Sequence, residues 1–245
     1  MRKRLILGMA FIVGLGIQTA WARAQVSDAQ TLAKIQDKVF HTNVFAHGQV
    51  TATYDHGVAT LEGTVDNLGS RLDAERAASK VEGVTRVIDN IQVRVDDFTP
   101  QQMLEAARKQ VVTYYAYGIF DNIQLEAQGD KLIVSGQVTE PFKKSDLGNF
   151  LKRVKGVATL ENSLDVLPVS YNDDLLRVQV ARAIYGSSSL FNYGNRPVPP
   201  IHIIVKNGNV TLEGAVGSKM DRQLAESAAR SAGLSFSVTN NLRVG

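Results

Sequence analysis

Cysteine is absent from this chain of 245 residues. The chain can therefore form no disulfide, and it offers neither a thiol nucleophile nor a cysteine-based metal site. If the protein is exported, burial alone must hold its folds together. The sequence also has no GxSxG, HExxH or P-loop motif, each of which signals an enzyme mechanism. We therefore expect a protein that is not an enzyme and that needs no cofactor.

A strong net charge is also lacking once the amino terminus is set aside. The formal net charge is +3, but four of the 27 lysines and arginines lie in the first 24 positions. The remaining 23 bases stand against 24 acids. A general nucleic-acid binder usually has a clear basic excess, so we expect no nucleic-acid partner.

Long apolar runs are confined to the amino terminus. Basic residues at 2–4 precede an apolar core at 5–17, and alanines at 20, 22 and 24 form two overlapping A-x-A sites. This pattern predicts a signal peptide over residues 1–24, cut after Ala22 or Ala24, and hence a periplasmic protein. No cysteine follows the core, so a lipoprotein signal is not predicted. An uncleaved membrane anchor is the alternative, although a span usually needs about 20 apolar residues.

A short strand pattern occurs three times, as VATLEGTV at 58–65, KLIVSGQV at 131–138 and VTLEGAV at 210–216. Its reference positions are the glycines Gly63, Gly136 and Gly214. Thirteen residues before each glycine an alternating run begins, and DHG, QGD or NGN lies between the run and the glycine. Alternation is typical of strands and these residues are typical of tight turns. Each repeat is therefore predicted to contain an antiparallel hairpin.

A helix and a further strand are predicted after each hairpin. Apolar residues stand 11, 14, 15 and 18 positions after each reference glycine, which places them on one helix face. Gly83, Gly156 and Gly233 are predicted to end these helices. A last strand follows, and a strand–helix–strand connection makes its two strands parallel.

Another helix is predicted before each hairpin, starting at Ser27, Thr99 and Asn172. The sequence therefore predicts an α+β fold of three tandem αββαβ domains, each a small mixed three-stranded sheet with two helices. Their predicted bounds are 27–95, 99–168 and 172–244.

This pattern resembles the BON domain family, whose strand ends in L-x-G-x-V and is followed by a helix, V-x-G-V and V-x-N-x-L. The chain reads TLEGTV with VEGV, IVSGQV with VKGV, and TLEGAV with SAGL. Asp89 takes the asparagine place in the first repeat, and Ala232 and Leu234 flank the third glycine. The resemblance covers nearly all of residues 27–244. It implies an envelope protein, without enzyme activity, that binds phospholipid membranes and supports envelope integrity, often under osmotic stress.

The charge distribution favours the later repeats as the membrane contact. Residues 28–97 hold 11 acids and seven bases, residues 98–168 eight of each, and residues 169–245 five acids and eight bases. Each base near an anionic lipid surface contributes roughly 1 kcal/mol. An ordinary solvated helix face is the alternative interpretation of such a cluster. The predicted basic contacts in the second repeat are Lys143, Lys144, Lys152, Arg153 and Lys155.

Aromatic residues are concentrated in the same two repeats. Tyr117 and Tyr193 are predicted to lie in exposed loops, where a ring with a polar group suits a membrane interface. Phe191 is expected in the core instead. The run NYGNRPVPP after Phe191, which includes Arg196, is a predicted contact loop for lipid or protein.

No metal site is predicted, because the histidines at 41, 47 and 56 fall in loops or turns. The favoured function is association with an anionic phospholipid surface. A scaffold that binds another envelope protein or a cell-wall polymer is the alternative. The sequence leaves open which repeat makes the contact and whether the chain self-associates.

Overall fold

The computed structural model describes residues 14–42 and 44–245, with side chains from residue 27 onward. The chain forms two compact units. The amino-terminal unit contains the described residues up to Val65 together with Ser70–Val93. The carboxyl-terminal unit contains Asp66–Gly69 and Arg94–Gly245.

The three predicted repeats show the same order of elements. The first has α1 (Gly14–Phe40), β1 (Gly48–Asp55), β2 (Val58–Val65), α2 (Leu68–Ser79) and β3 (Arg86–Val93). The second has α3 (Pro100–Val112), β4 (Asn122–Gln128), β5 (Lys131–Val138), α4 (Pro141–Leu151) and β6 (Thr159–Val166). The third has α5 (Tyr171–Tyr185), the short α6 (Phe191–Gly194), β7 (Ile201–Lys206), β8 (Asn209–Val216), α7 (Lys219–Ser231), β9 (Ser237–Asn240) and β10 (Arg243–Val244).

Each repeat forms its own small mixed sheet, as predicted. The hairpin strands pair antiparallel, as in β1–β2, β4–β5 and β7–β8. The strand after the crossover helix pairs in parallel with the second hairpin strand. In the third repeat this last strand is broken, and β9 and β10 both pair with β8. The predicted α+β fold class is confirmed, whereas the exact domain bounds stay a prediction.

The three reference glycines permit a close approach between the hairpin strands. Gly63, Gly136 and Gly214 have φ angles of 136°, 112° and 109°. Each pairs with the residue thirteen positions earlier. A Cβ atom added to any of them would lie 1.9–2.1 Å from the carbonyl oxygen of the residue just before its strand partner. The repeated glycine therefore reflects a backbone conformation and a contact that a side chain cannot enter.

The predicted helix-ending glycines lie beyond the helices rather than at their ends. α2 ends at Ser79, α4 at Leu151 and α7 at Ser231. Gly83 and Gly156 have φ angles of 94° and 81° in the turns that lead into the last strands. Gly233 is not among the residues with positive φ. This corrects the prediction for Gly83 and Gly156, which shape the turn rather than cap the helix, whereas Gly233 directly follows the C-cap residue Ala232.

Two of the three predicted helix starts are wrong. α1 begins at Gly14, so Ser27 lies inside the helix, where its carbonyl accepts a hydrogen bond from Thr31 Oγ1 at 3.0 Å. α5 begins at Tyr171 and is capped by Ser170 rather than Asn172. Thr99 does cap α3, in a capping box with Gln102.

The predicted signal peptide overlaps α1 only in part. Residues 1–13 lie outside the described residues, and the predicted cleavage sites after Ala22 and Ala24 fall within α1. Cleavage there stays a prediction. Among the described residues, no helix is both long enough and apolar enough to cross a membrane.

A buried aspartate holds the third hairpin against α5. Asp173, which is 2% exposed, accepts hydrogen bonds from the backbone N–H groups of Asn207 and Gly208, both at 2.8 Å. These two residues form the turn between β7 and β8 and have positive φ angles. Asp173 also lies in the first turn of α5, where a negative charge complements the helix dipole.

Candidate functional site

One member of the predicted basic cluster of the second repeat, Lys143, is held inside the fold. Lys143 Nζ lies 2.8 Å from Asp121 Oδ2, and the two side chains are 12% and 1% exposed. Lys143 also donates to Thr139 Oγ1 at 2.8 Å. Asp121 accepts further hydrogen bonds from the backbone N–H groups of Gly118 and Thr139, both at 3.0 Å. This corrects the prediction for Lys143, because its ammonium group is neutralised in the interior and cannot reach a lipid surface.

Three more of the predicted basic contacts have partners within the carboxyl-terminal unit. Lys155 Nζ lies 3.1 Å from the buried Asp66. Lys152 Nζ donates to Asn149 Oδ1 at 2.9 Å. Arg153 packs its stem against Gly69, where an added Cβ would come within 2.7 Å of Arg153 Cγ. Lys144, by contrast, forms no ion pair with another described residue.

Neither predicted exposed tyrosine is freely exposed. Tyr193 is 9% exposed, and its hydroxyl donates to Asp221 Oδ2 at 2.8 Å and accepts from the Gly217 N–H at 2.7 Å. Tyr117 is half-buried. Burial, with a smaller contribution from the charge of Asp121, raises the pKa of Tyr117 to about 12. Phe191, which was expected in the core, is 54% exposed instead.

Tyr193 ties the predicted contact loop to the start of α7. Its two hydrogen bonds reach Gly217 and Asp221, on either side of the helix start. Arg196 Cζ lies 5.2 Å from the centre of the Tyr193 ring. The exposed residues of α6, the loop after it and the start of α7 include four that we name the basic–apolar patch: Phe191, Arg196, Lys219 and Met220.

An exposed group of acids and a histidine lies at the β1–β2 turn. The side chains of Asp28, Asp55 and His56 bring ligand-type atoms within 4.8 Å of one another. His56 bonds Asp55, and this hydrogen bond is the main cause of a raised His56 pKa. His56 and Asp55 therefore form an ion pair at the surface, and His56 lies at a turn, as predicted.

A polar cleft of about 740 Å³ lies between the second and third repeats, within the carboxyl-terminal unit. One wall is the start of β4 with Arg108 and Tyr117. The other is the face of the third sheet that points away from its core, with His202, Glu213 and Arg243. This cleft could not be predicted from the sequence, because its two walls come from different repeats. The full lining is Arg108, Tyr117, Asn122, Ile123, Gln124, Leu125, His202, Glu213, Gly214, Asn241 and Arg243.

The repeats on either side of this cleft are joined by specific contacts. The backbone N–H of Ile203 in β7 donates to the carbonyl of Ile119 at 2.7 Å. Phe120 packs against the core of the third repeat. Lys206 Nζ lies 2.6 Å from Asp165 Oδ2, with both side chains about half exposed. The backbone contact and the apolar contact set the position of β4 next to β7.

Comparison with known proteins places the chain in a family. The sequence profile of the BON domain matches residues 27–95 and 172–245, which together make up more than half of the chain. The chain belongs to the BON domain family. The second repeat lies outside the two matched regions but has the same order and pairing of strands as the two matched BON repeats.

The curated and structural relatives of this BON protein are distant. An uncharacterized protein in the gshII 5′ region of Anaplasma centrale is 28% identical over 137 residues, covering 54% of this chain and 89% of its own. The C-terminal domain of CdsD, the structural protein of the type III secretion system of Chlamydia trachomatis, is 15% identical, with a TM-score of 0.24 over 85% of this chain and 96% of its own. The PrgH periplasmic domain is 14% identical, with a TM-score of 0.21 over 86% and 99%. TM-scores this low support no conclusion about the function of this chain from either domain.

We predict that His202 makes the third BON repeat less stable in mild acid. Burial lowers the pKa of His202, and the nearby backbone groups of Gly118 and Asp121, together with the charges of Asp121 and Glu213, offset only part of this effect. In the unfolded chain the imidazole takes up a proton as the pH falls through about 6.5. The folded protein does not take it up until a lower pH, so stability is expected to fall as the pH drops below about 6.5.

The measurement is thermal unfolding between pH 7.5 and pH 5 for the natural chain and for His202→Gln. Below pH 6.5 the melting temperature of the variant is expected to fall less than that of the natural chain. His56→Gln is the control, because the pKa of the exposed His56 is raised rather than lowered. An unchanged pH profile in His202→Gln would contradict the prediction.

Proposed function

We propose that this BON protein is a non-enzymatic periplasmic protein that associates with anionic phospholipid surfaces and so supports the integrity of the cell envelope. The observation that carries this proposal is the basic–apolar patch of the third repeat. Bases attract anionic headgroups and exposed apolar side chains enter the boundary below them. Membership in the BON family supports the same function.

The exposure of the patch is what suits it to a membrane surface. Phe191 and Met220 are 54% and 62% exposed, and Arg196 and Lys219 form no ion pair with another described residue. Tyr193 is buried beneath Arg196 and holds the loop in place. A loop held in this way loses little conformational entropy when it binds.

We expect the double variant Arg196→Gln/Lys219→Gln to bind anionic vesicles about 30-fold more weakly at low salt, because each base contributes about 1 kcal/mol. The measurement is co-sedimentation with phosphatidylglycerol-containing vesicles. Purely phosphatidylcholine vesicles and physiological salt are the comparison conditions. Binding of the natural chain is expected to need the anionic lipid and to weaken with salt.

The matched control is Lys34→Gln/Lys80→Gln. Both lysines are exposed and lie in the repeat with 11 acids and seven bases, so this variant is expected to pellet like the natural chain. If the patch variant and the control bind equally, the lipid contact does not lie in the basic–apolar patch of the third repeat. No pelleting at any salt concentration would reject lipid association altogether.

The second candidate function is an envelope scaffold that binds another protein. The observation that favours it is an apolar groove of about 440 Å³ in the amino-terminal unit, between α1 and β1. Phe40 and Phe45 line it and are 62% and 47% exposed, with ring centres 5.3 Å apart. Among the residues that the structure describes, no lysine or arginine lines this groove, so binding there should be insensitive to salt, unlike lipid binding.

A further inference from the structure

The cleft between the second and third repeats has the dimensions of a ligand site but an unusual lining. Its volume of about 740 Å³ falls within the range of small-molecule pockets, which is about 300–1,000 Å³. Most such pockets are largely apolar, whereas this one is lined mainly by charged, amide, imidazole and phenol groups. A molecule that binds here must therefore exchange its hydrogen bonds with water for bonds with many polar groups.

The charges of the lining favour an anion. Arg108 and Arg243 are exposed, and neither forms an ion pair with another described residue. The one acidic side chain in the lining, Glu213, accepts a hydrogen bond from Asn241 Nδ2 at 2.7 Å. Guanidinium groups bind carboxylates and phosphates in a bidentate manner, so two unpaired arginines in one cleft suit an oxyanion.

The edge of β4 adds backbone hydrogen-bonding groups. Residues 122–125 are consecutive, and all four line the cleft. Because successive side chains of a strand point to opposite faces, a lining of consecutive residues means that the strand presents its edge. β4 pairs with β5 on its other side, so its outer N–H and C=O groups can bond hydroxyl or amide groups of a ligand.

His202 and Tyr117 supply a further polar surface. His202 is 8% exposed, and its buried Nδ1 atom makes no close hydrogen bond with a described residue, although backbone groups of Gly118 and Asp121 lie near the ring. Its Nε2 atom lies 3.3 Å from the Tyr117 hydroxyl. A buried nitrogen without a close partner is costly, so such a group calls for an explanation, of which a bound water or ion is one.

We propose that this cleft binds a small hydroxylated organic anion, whose carboxylate or phosphate group is held between Arg108 and Arg243 and whose hydroxyl groups bond the edge of β4 and the amide side chains. The lining of the cleft shares no residue with the basic–apolar patch, so this proposal does not depend on lipid association. The same oxyanion chemistry occurs in a free sugar acid and in a phospholipid headgroup, and the probes below separate the two.

The test is isothermal titration calorimetry of the full chain, as the expressing cell processes it, with three probes. Glucuronate represents a hydroxylated carboxylate, glycerol 3-phosphate a phosphate headgroup, and glucose is the neutral comparison. We expect at least one anion to bind and glucose not to bind. Arg108→Gln and Arg243→Gln are each expected to weaken the binding at least about tenfold, because each removes a charge-assisted hydrogen-bonding group.

Two controls separate this effect from a general loss of positive charge. Lys109→Gln changes the base next to Arg108 on α3, and Arg182→Gln changes an exposed base on α5; neither residue lines the cleft. Both variants should bind the anion like the natural chain. Absence of binding by both anions, or equal binding by Arg108→Gln and Lys109→Gln, would overturn the proposal.

The identity of the bound anion then decides its source. Binding of glucuronate supports the proposed site with a free organic acid as its ligand. Binding of glycerol 3-phosphate alone supports the site with a phosphate ligand. In that case, competition by glycerol 3-phosphate against vesicle pelleting identifies a lipid headgroup, and no competition identifies a soluble phosphate. Arg196→Gln/Lys219→Gln should leave the calorimetric binding unchanged, so the two proposals can fail separately.

Discussion

Replacing Asp121 with alanine is expected to destabilise the carboxyl-terminal unit by about 3–5 kcal/mol, because it leaves the ammonium group of Lys143 buried without its partner. Asp121 is fully buried. Its carboxylate bonds three separate segments. These are the turn at Gly118, Thr139 directly after β5, and Lys143 in the first turn of α4. Loss of this side chain also leaves the N–H groups of Gly118 and Thr139 without their acceptor.

The measurement is urea unfolding combined with hydrogen exchange of the amides in residues 94–245, which reports this unit alone. Glu105→Ala is the control, because Glu105 is exposed on α3 and should change stability by less than about 0.5 kcal/mol. The double variant Asp121→Ala/Lys143→Met should be less destabilised than the sum of the two single variants. A small effect of Asp121→Ala would show that the buried pair is not needed for folding.

Replacing Gly136 with alanine is expected to cost about 2–5 kcal/mol, from backbone strain and from a forced shift of the neighbouring strand. The φ angle of Gly136 is 112°, and an added Cβ would lie 2.0 Å from the Asn122 carbonyl oxygen. Because this contact is to backbone, it can be relieved only if β4 and β5 move apart.

Gly129→Ala is the matched control for this prediction. Gly129 also has a positive φ angle, 64°, but a Cβ there would meet nothing within 4 Å. Its replacement should cost only about 1–2 kcal/mol, which is the strain of the left-handed conformation. If both alanine variants lose the same stability in urea unfolding, the close strand contact does not explain the repeated glycine.

The exposed faces of this protein could not be inferred from residue type alone. Lys143 and Tyr193 have the chemistry of surface contacts, yet both are held by hydrogen bonds inside the fold. Phe191 has the chemistry of a core residue, yet it is exposed on the loop that Tyr193 holds. These assignments failed because a side chain is buried by residues that are distant in sequence, and periodicity describes only its own element.

The sequence by itself determined the order of the main elements, the antiparallel hairpin and the parallel last strand of each repeat. These depend on local chemistry: alternation at period two, turn residues with positive φ, and helix faces with apolar residues at regular spacing. The spacing of thirteen residues between each glycine and its strand partner is therefore visible in the sequence and is kept in the register.

Only the tertiary structure decided which charges and polar groups meet. Three examples join residues from different elements. Asp121 pairs with Lys143, and Asp173 accepts a hydrogen bond from the turn of the third hairpin. Arg108 and Arg243 line the same cleft. Their partners are brought together by the packing of one repeat on the next and of helices on sheets. That packing depends on the shape of whole surfaces, and a linear pattern of residues carries no direct record of it.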